Sequence, residues 1–164
     1  MSQQSVSKIN NIDRPVDDLV EAVKEVIRNE GKRDEKLMQI CLLLHENVDK
    51  YDWVGFYLAD PNADRELILG PYVGAETNHT DIPFGTGICG QAAETLETFV
   101  VDDVQAESNY LSCGAAVKSE IVIPILKDGK FVAELDIDSH TRAAITPKDQ
   151  EMLEAIANLT ASVF

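Results

Sequence analysis

Cysteine is scarce in this sequence: three residues, Cys41, Cys89 and Cys113, an odd number with no CxxC spacing. That pattern excludes a secreted disulfide framework and offers no paired ligand spacing for structural zinc. His79 and His140 do not repair it, because their separations from the cysteines match no usual zinc pattern, so no metal site is expected. The cysteines read as thiols in a reducing compartment. Positive charge is also short, with 14 basic against 29 acidic side chains and a net charge of −15. Such a surface repels phosphate backbones and anionic lipid heads, so neither nucleic acid nor membrane is an expected partner. Long apolar runs are missing too. The stretch around Ile40-Cys-Leu-Leu-Leu44 is far too short to span a bilayer, and Met1 to Asn10 lacks the charged-then-apolar order of a secretory signal. A cytoplasmic location is expected.

What is present suits one compact unit: 164 residues, 45% of them hydrophobic, with no internal repeat or low-complexity tract. Residues 1–12 are polar and without periodicity and read as a flexible tail, leaving 13–164 as the domain. Val16, Leu19, Val20, Val23, Val26 and Ile27 recur at helical spacing up to Gly31, and Leu37, Ile40, Cys41, Leu44 and Val48 form a second stripe. Cys41 therefore falls on a buried helix face. From Trp53 the period changes to two, which predicts a strand, with Glu66 to Leu69 as its neighbour. A short helix near Ile88–Thr95, a strand at Thr98–Val101, an irregular stretch over about 102–118, strands at Glu120–Leu126 and Phe131–Asp138, and a helix from Thr146 to Val163 follow. Thr146, Pro147 and Asp149 supply that last helix with an N-cap, a first-turn proline and an acidic third residue. The order predicts an α+β fold, an antiparallel sheet with helices packed on one face and a loop-covered pocket on the other.

Three constellations could carry chemistry. In the final hairpin, Ile121, Ile123 and Ile125 must share the core face with Phe131, Ala133, Leu135 and Ile137. A three-residue loop of Lys127, Asp128 and Gly129 would supply that register, setting Glu120 directly across from Asp136, with Asp138 and Glu134 on the same non-core face. Opposed like charges cost a sheet roughly 0.2–1 kcal/mol. A ligand cation or a shared proton would relieve them, whereas a solvated strand face would explain the same alternation. Second, Gly85-Thr-Gly-Ile-Cys-Gly90 formally matches a dinucleotide fingerprint, but no parallel βαβ unit surrounds it. It reads better as the entry to a helix whose first turn holds Cys89, where backbone amides favour a thiolate. Cys113, in the irregular stretch, is a candidate nucleophile. Third, Trp53 and Tyr57 share a face across a gap at Gly55, either as core packing or as a cage for a methyl or sulfur group.

Together, Trp53-Val-Gly-Phe-Tyr57, Gly87-Ile-Cys-Gly90, Ser112-Cys113, Ser119-Glu-Ile-Val-Ile-Pro124 and Leu135-Asp-Ile-Asp-Ser139 resemble the free methionine-(R)-sulfoxide reductases, a branch of the GAF fold. The resemblance runs from about Leu37 to the C-terminus. It implies that Cys113 attacks the sulfoxide sulfur and that a second cysteine then closes a disulfide. An external thiol, thioredoxin-type or a small dithiol, would reopen it, with no other cofactor. It further implies that Trp53 and Tyr57 wall a methyl pocket while Glu120, Asp136 and Asp138 hold the amino group and oxygen of a small-molecule amino-acid sulfoxide. Homodimers through the terminal helices are common in such folds. One position departs from the pattern: His79-Thr-Asp-Ile-Pro83 stands where typical members carry a further cysteine, ten residues before Cys89. Cys89 or an external thiol would then act as the resolving group. The alternative is a non-catalytic GAF module that binds a small ligand and signals through its terminal helices.

Overall fold

The computed structural model describes residues 16–111 and 114–164. The tail expected over residues 1–12 and the candidate nucleophile Cys113 lie outside the described residues. Two helices open the fold, α1 (Val16–Arg28) and α2 (Arg33–Asn47). Leu19 and Val23 of α1, and Leu37, Ile40, Cys41 and Leu44 of α2, are fully buried, as the helical phase requires. Burial pushes the Cys41 thiol far above its ordinary range, so it is inert packing.

The strands are β1 (Trp53–Ala59), β2 (Glu66–Val73), β3 (Asp81–Pro83), β4 (Phe99–Val101), β5 (Ser119–Lys127) and β6 (Lys130–Ser139). They form one sheet in the order β3-β2-β1-β6-β5-β4, antiparallel at every pairing. Among the described residues no parallel crossover exists to seat a dinucleotide. Helix α3 (Gly87–Thr95) follows β3, and α4 (Pro147–Thr160) closes the chain. The start of α4 is a capping box: the Asp149 amide donates to Thr146 Oγ1 at 3.2 Å and the Thr146 amide to Asp149 Oδ2 at 2.8 Å. Asp149 is fully buried there, and also accepts from Lys50 Nζ at 2.6 Å and from the Tyr51 hydroxyl.

The two sheet faces bury two separate clusters. Val54, Phe56, Ile121, Ile123, Ile125, Ala133, Leu135 and Ile137 pack against α1, α2 and α4. On the opposite face Trp53, Tyr57, Val101 and Val122 meet Ile88, Cys89, Ala92 and Ala93 of α3. Three helices thus share one face, and α3 joins the loops that cover the other.

The hairpin register differs from the sequence expectation. The turn has two residues, Asp128 and Gly129, at φ 52° and 78°, and pairs Lys127 with Lys130. Positive φ at both positions is what a type I′ turn needs, and its twist suits the flanking strands. That turn alone would give the wrong parity and set Ile121 against an acid. A bulge between Ile125 and Leu126 restores it, so that Ile121 pairs with Ile137 and Glu120 with Asp138. Glu120 is therefore directly opposite Asp138, not Asp136. Below the bulge Phe131 turns to the other face, where its ring meets Phe84 edge-on at 5.5 Å, instead of joining the isoleucines.

Candidate active site

Three rows of side chains cross the face opposite the main core. The first runs Val101, Glu120, Asp138, Trp53; the second Val122, Asp136, Gly55, Tyr72; the third Pro124, Glu134, Tyr57. Alternation along β5 and β6 dictates that if the isoleucines point into the core, every second residue, including each of these acids, points here. Four carboxyls are thereby buried together: Glu120 is 3% exposed, Asp138 1%, and Glu134 and Asp136 0%. Burial is the main force lifting all four well above the usual carboxylate range. Mutual repulsion adds to it, chiefly from Asp136 on Glu120, Asp138 on Asp136, and Glu120 on Asp138. Both oxygens of Glu134 and of Asp138, and Oδ1 of Asp136, have no hydrogen-bond partner among the described residues.

Cys89, in the first turn of α3, points down onto this floor, and its thiol donates to Asp136 Oδ2 at 3.3 Å. The helix N-terminus was expected to favour a thiolate, and the structure reverses that expectation. Burial pushes the Cys89 thiol well up, and Asp136, Glu134, Glu120 and Asp138 all push it further. A surface helix terminus contributes only about 0.3–1 kcal/mol, which cannot offset full desolvation beside four acids. Cys89 rests as a protonated thiol.

Trp53 and Tyr57 share the face as expected, but the gap at Gly55 is filled by Trp53 itself. A Cβ on Gly55 would lie 2.4 Å from the indole and 2.7 Å from the Tyr72 Cβ. The indole stacks on Tyr72 at 5.3 Å and on Tyr57 at 6.3 Å between centroids. Its Nε1 donates to the Ala75 carbonyl at 3.0 Å, and the Tyr57 hydroxyl donates to the His79 carbonyl at 2.9 Å. Both aromatics thus tie the loop over residues 74–80 down onto the sheet. Tyr72 escaped the sequence reading because β2 extends beyond the Leu69 at which its alternation was expected to end.

A cavity of about 10 Å³ opens beside the acids, walled by Ile82, Thr86, Gly87, Cys89, Leu111 and Glu120. That volume holds about one water molecule. Trp53 and Tyr57 belong to the same apolar cluster but are not among these walls. The roof is set by Asn109: its Oδ1 accepts from the Gly87 amide at 3.0 Å and its Nδ2 donates to the Gly85 carbonyl at 2.9 Å. Gly87, at φ +67°, lets Leu111 approach so closely that a Cβ there would fall 2.8 Å from the Leu111 Cβ. The structure therefore brings Cys89, Glu120, Asp136 and Asp138 together, adds Glu134, and anchors the segment leading to Cys113 above them. The signal for Asn109 and Leu111 was absent from the sequence, since a loop has no period to read.

The GAF domain family matches residues 33–164. The free methionine-R-sulfoxide reductase of Saccharomyces cerevisiae is 40% identical over 109 residues, 66% of this chain and 60% of that protein's length. The enzyme of the same name from Escherichia coli is 34% identical over 73% of this chain and 70% of its own. Among solved structures, the free methionine-R-sulfoxide reductase from Neisseria meningitidis in complex with its substrate superposes with a TM-score of 0.85. It is 34% identical, and the match covers 91% of this chain and 87% of that one. With the sheet order, the acid floor and the α3 thiol in place, these likenesses identify the chain as a member of the GAF domain family, homologous to the free methionine-R-sulfoxide reductases.

Proposed function

We propose that this chain reduces free L-methionine-(R)-S-oxide to methionine, with Cys113 as the attacking thiol. The observation that carries the reading is the burial of Glu120, Asp136 and Asp138 together with Cys89, beside a small cavity walled by Cys89 and Glu120. Leu111, two residues ahead of Cys113 in the chain, walls that cavity. A sulfoxide oxygen leaves sulfur only once it is protonated, and a carboxyl kept neutral by desolvation is a fitting donor. A neighbouring acid that ionises on ligand entry pairs with the ligand ammonium in a site of low dielectric.

The Cys113 sulfur bonds to the sulfoxide sulfur. The oxygen then passes to cysteine, so the substrate sulfur is reduced by two electrons and Cys113 becomes a sulfenic acid. Cys89 condenses with it, releasing water and leaving a disulfide that an external dithiol, thioredoxin-type or small, reduces. Because Cys89 rests protonated, this second step is expected to be slower than the first. The test is to incubate reduced protein with each sulfoxide epimer and excess dithiol and to quantify methionine. Product is expected from the R epimer alone and is expected to vanish in Cys113→Ser; R-epimer turnover that survives Cys113→Ser overturns the reading.

The protonated state of Cys89, with His79 in place of the usual resolving cysteine, favours a second reading as a ligand-binding GAF module without turnover. Saturable binding of the sulfoxide with an unchanged thiol count would select it.

A further inference from the structure

Spacing along the chain argues against a metal site because it searches for histidines and paired cysteines. The fold assembles a different donor set, one residue each from α3, β5 and β6. Cys89 Sγ, a carboxylate oxygen of Glu120 and one of Asp136 all lie within 4.8 Å of one another, and all three residues are buried. Next to them stands Asp138, directly across the ladder from Glu120 and on the same face as Asp136. It is 1% exposed and neither of its oxygens has a hydrogen-bond partner among the described residues. Asp136 Oδ1 is likewise without one. Acceptors buried at this density are satisfied either by protons shared among the carboxyls or by a positively charged occupant that displaces those protons.

We propose that Cys89, Glu120 and Asp136 form a site for a thiophilic divalent cation of the zinc class, with solvent completing its coordination. Zinc binds sulfur at about 2.3 Å and carboxylate oxygen at about 2.0–2.2 Å, which sets its ligand atoms about 3.5 Å apart. The present separations extend up to 4.8 Å, so side-chain rotation must draw the donors in around the ion. The donor set itself selects the metal. Calcium and magnesium call for six or more hard oxygen ligands, and a thiol is a poor one for either. On binding, the zinc–sulfur and zinc–oxygen bonds form as the Cys89 proton and those held by Glu120 and Asp136 leave to solvent, and no electrons are exchanged. An occupied site withholds from a ligand ammonium the carboxyls it would pair with, and holds Cys89 away from disulfide chemistry. The ion would thus act as an inhibitor of the site, not as its resident cofactor.

The test uses the reduced full chain and two probes, Zn2+ competed against a chromophoric chelator and Cd2+ followed by its thiolate charge-transfer absorption in the ultraviolet. One Zn2+ per chain is expected, with affinity at least tenfold weaker in Cys89→Ser and in Asp136→Asn, and the cadmium band is expected to disappear in Cys89→Ser. Glu120→Gln, checked for folding by circular dichroism, serves if either variant fails to fold, and is expected to weaken Zn2+ by the same factor. Absence of Zn2+ binding in the unmodified chain, or wild-type affinity in any of these variants when folded, overturns the proposal. None of these readouts needs sulfoxide turnover, so a chain that binds zinc but reduces nothing would separate this site from the reductase reading.

Discussion

Gly55 is the residue on which the aromatic side of the site turns. With no Cβ it lets the indole of Trp53 lie flat across β1 against Tyr72, and any larger residue would meet the ring at 2.4 Å. Gly55→Ala is expected to cost about 1–3 kcal/mol, as overpacking does, and to push the indole outward. Trp53 is the single tryptophan, so fluorescence reports on this position alone. A red-shifted emission together with a lower denaturant midpoint is expected; emission identical to the parent would contradict the packing described. The sequence showed the gap and its two flanking aromatics. It could not show that the gap is self-filled, because the ring's rotamer depends on Tyr72 in a neighbouring strand. Cys89 carries the same lesson in electrostatics: its helical position was legible and its environment was not, since three of the four acids around it come from β6 and the fourth from β5. Iodoacetamide at mildly alkaline pH is expected to alkylate Cys89 far more slowly in the folded protein than in denaturant. Equal rates would show that the thiol is neither buried nor held protonated.

Among the elements, α4 and the β5–β6 hairpin mark the limits of a local reading. Thr146, Pro147 and Asp149 announce the helix start because capping is settled within four residues. That Asp149 also receives Lys50 and the Tyr51 hydroxyl is invisible along the chain, as those partners are 99 and 98 residues away. Asp149→Ala therefore removes the cap, strands the buried Tyr51 hydroxyl and leaves the half-buried Lys50 ammonium only the Ala144 carbonyl. A loss of about 2–4 kcal/mol is expected, a lost cap plus an unsatisfied buried hydroxyl, to be read from chemical denaturation. A loss under 1 kcal/mol would reduce Asp149 to an ordinary N-cap. In the hairpin the isoleucine alternation fixed which residues share a face, and so placed the acids on the pocket side. Alternation fixes parity only. Two registers satisfy it, and the choice was made by the Asp128-Gly129 turn and its compensating bulge, which moved the opposed pair from Glu120 and Asp136 to Glu120 and Asp138.

For the whole molecule, the buried carboxyls couple folding to pH. Each has a folded pKa raised above its ordinary value, 4.5 for glutamate and 3.8 for aspartate, so the folded state holds protons that the unfolded chain releases. Their contribution is fully present below those ordinary values and is lost as pH rises toward the elevated ones. Where one extra proton is held, stability falls by about 1.4 kcal/mol per pH unit. The net charge of −15 acts in the same direction through repulsion. Denaturant midpoints are expected to decline from about pH 5 to pH 8, and Glu134→Gln to flatten the decline, because it removes a buried acid with no hydrogen-bond partner among the described residues. A flat or rising profile would mean that the acids are hydrated or paired.

Single turnover without added reductant tests the central claim most directly. Fully reduced protein mixed with excess L-methionine-(R)-sulfoxide should release one equivalent of methionine per chain, lose two thiols, and yield one disulfide-linked peptide pair containing Cys89 and Cys113 but not Cys41. Methionine release without that linkage would assign the resolving step to an outside thiol, and the absence of both methionine and thiol loss would contradict the account.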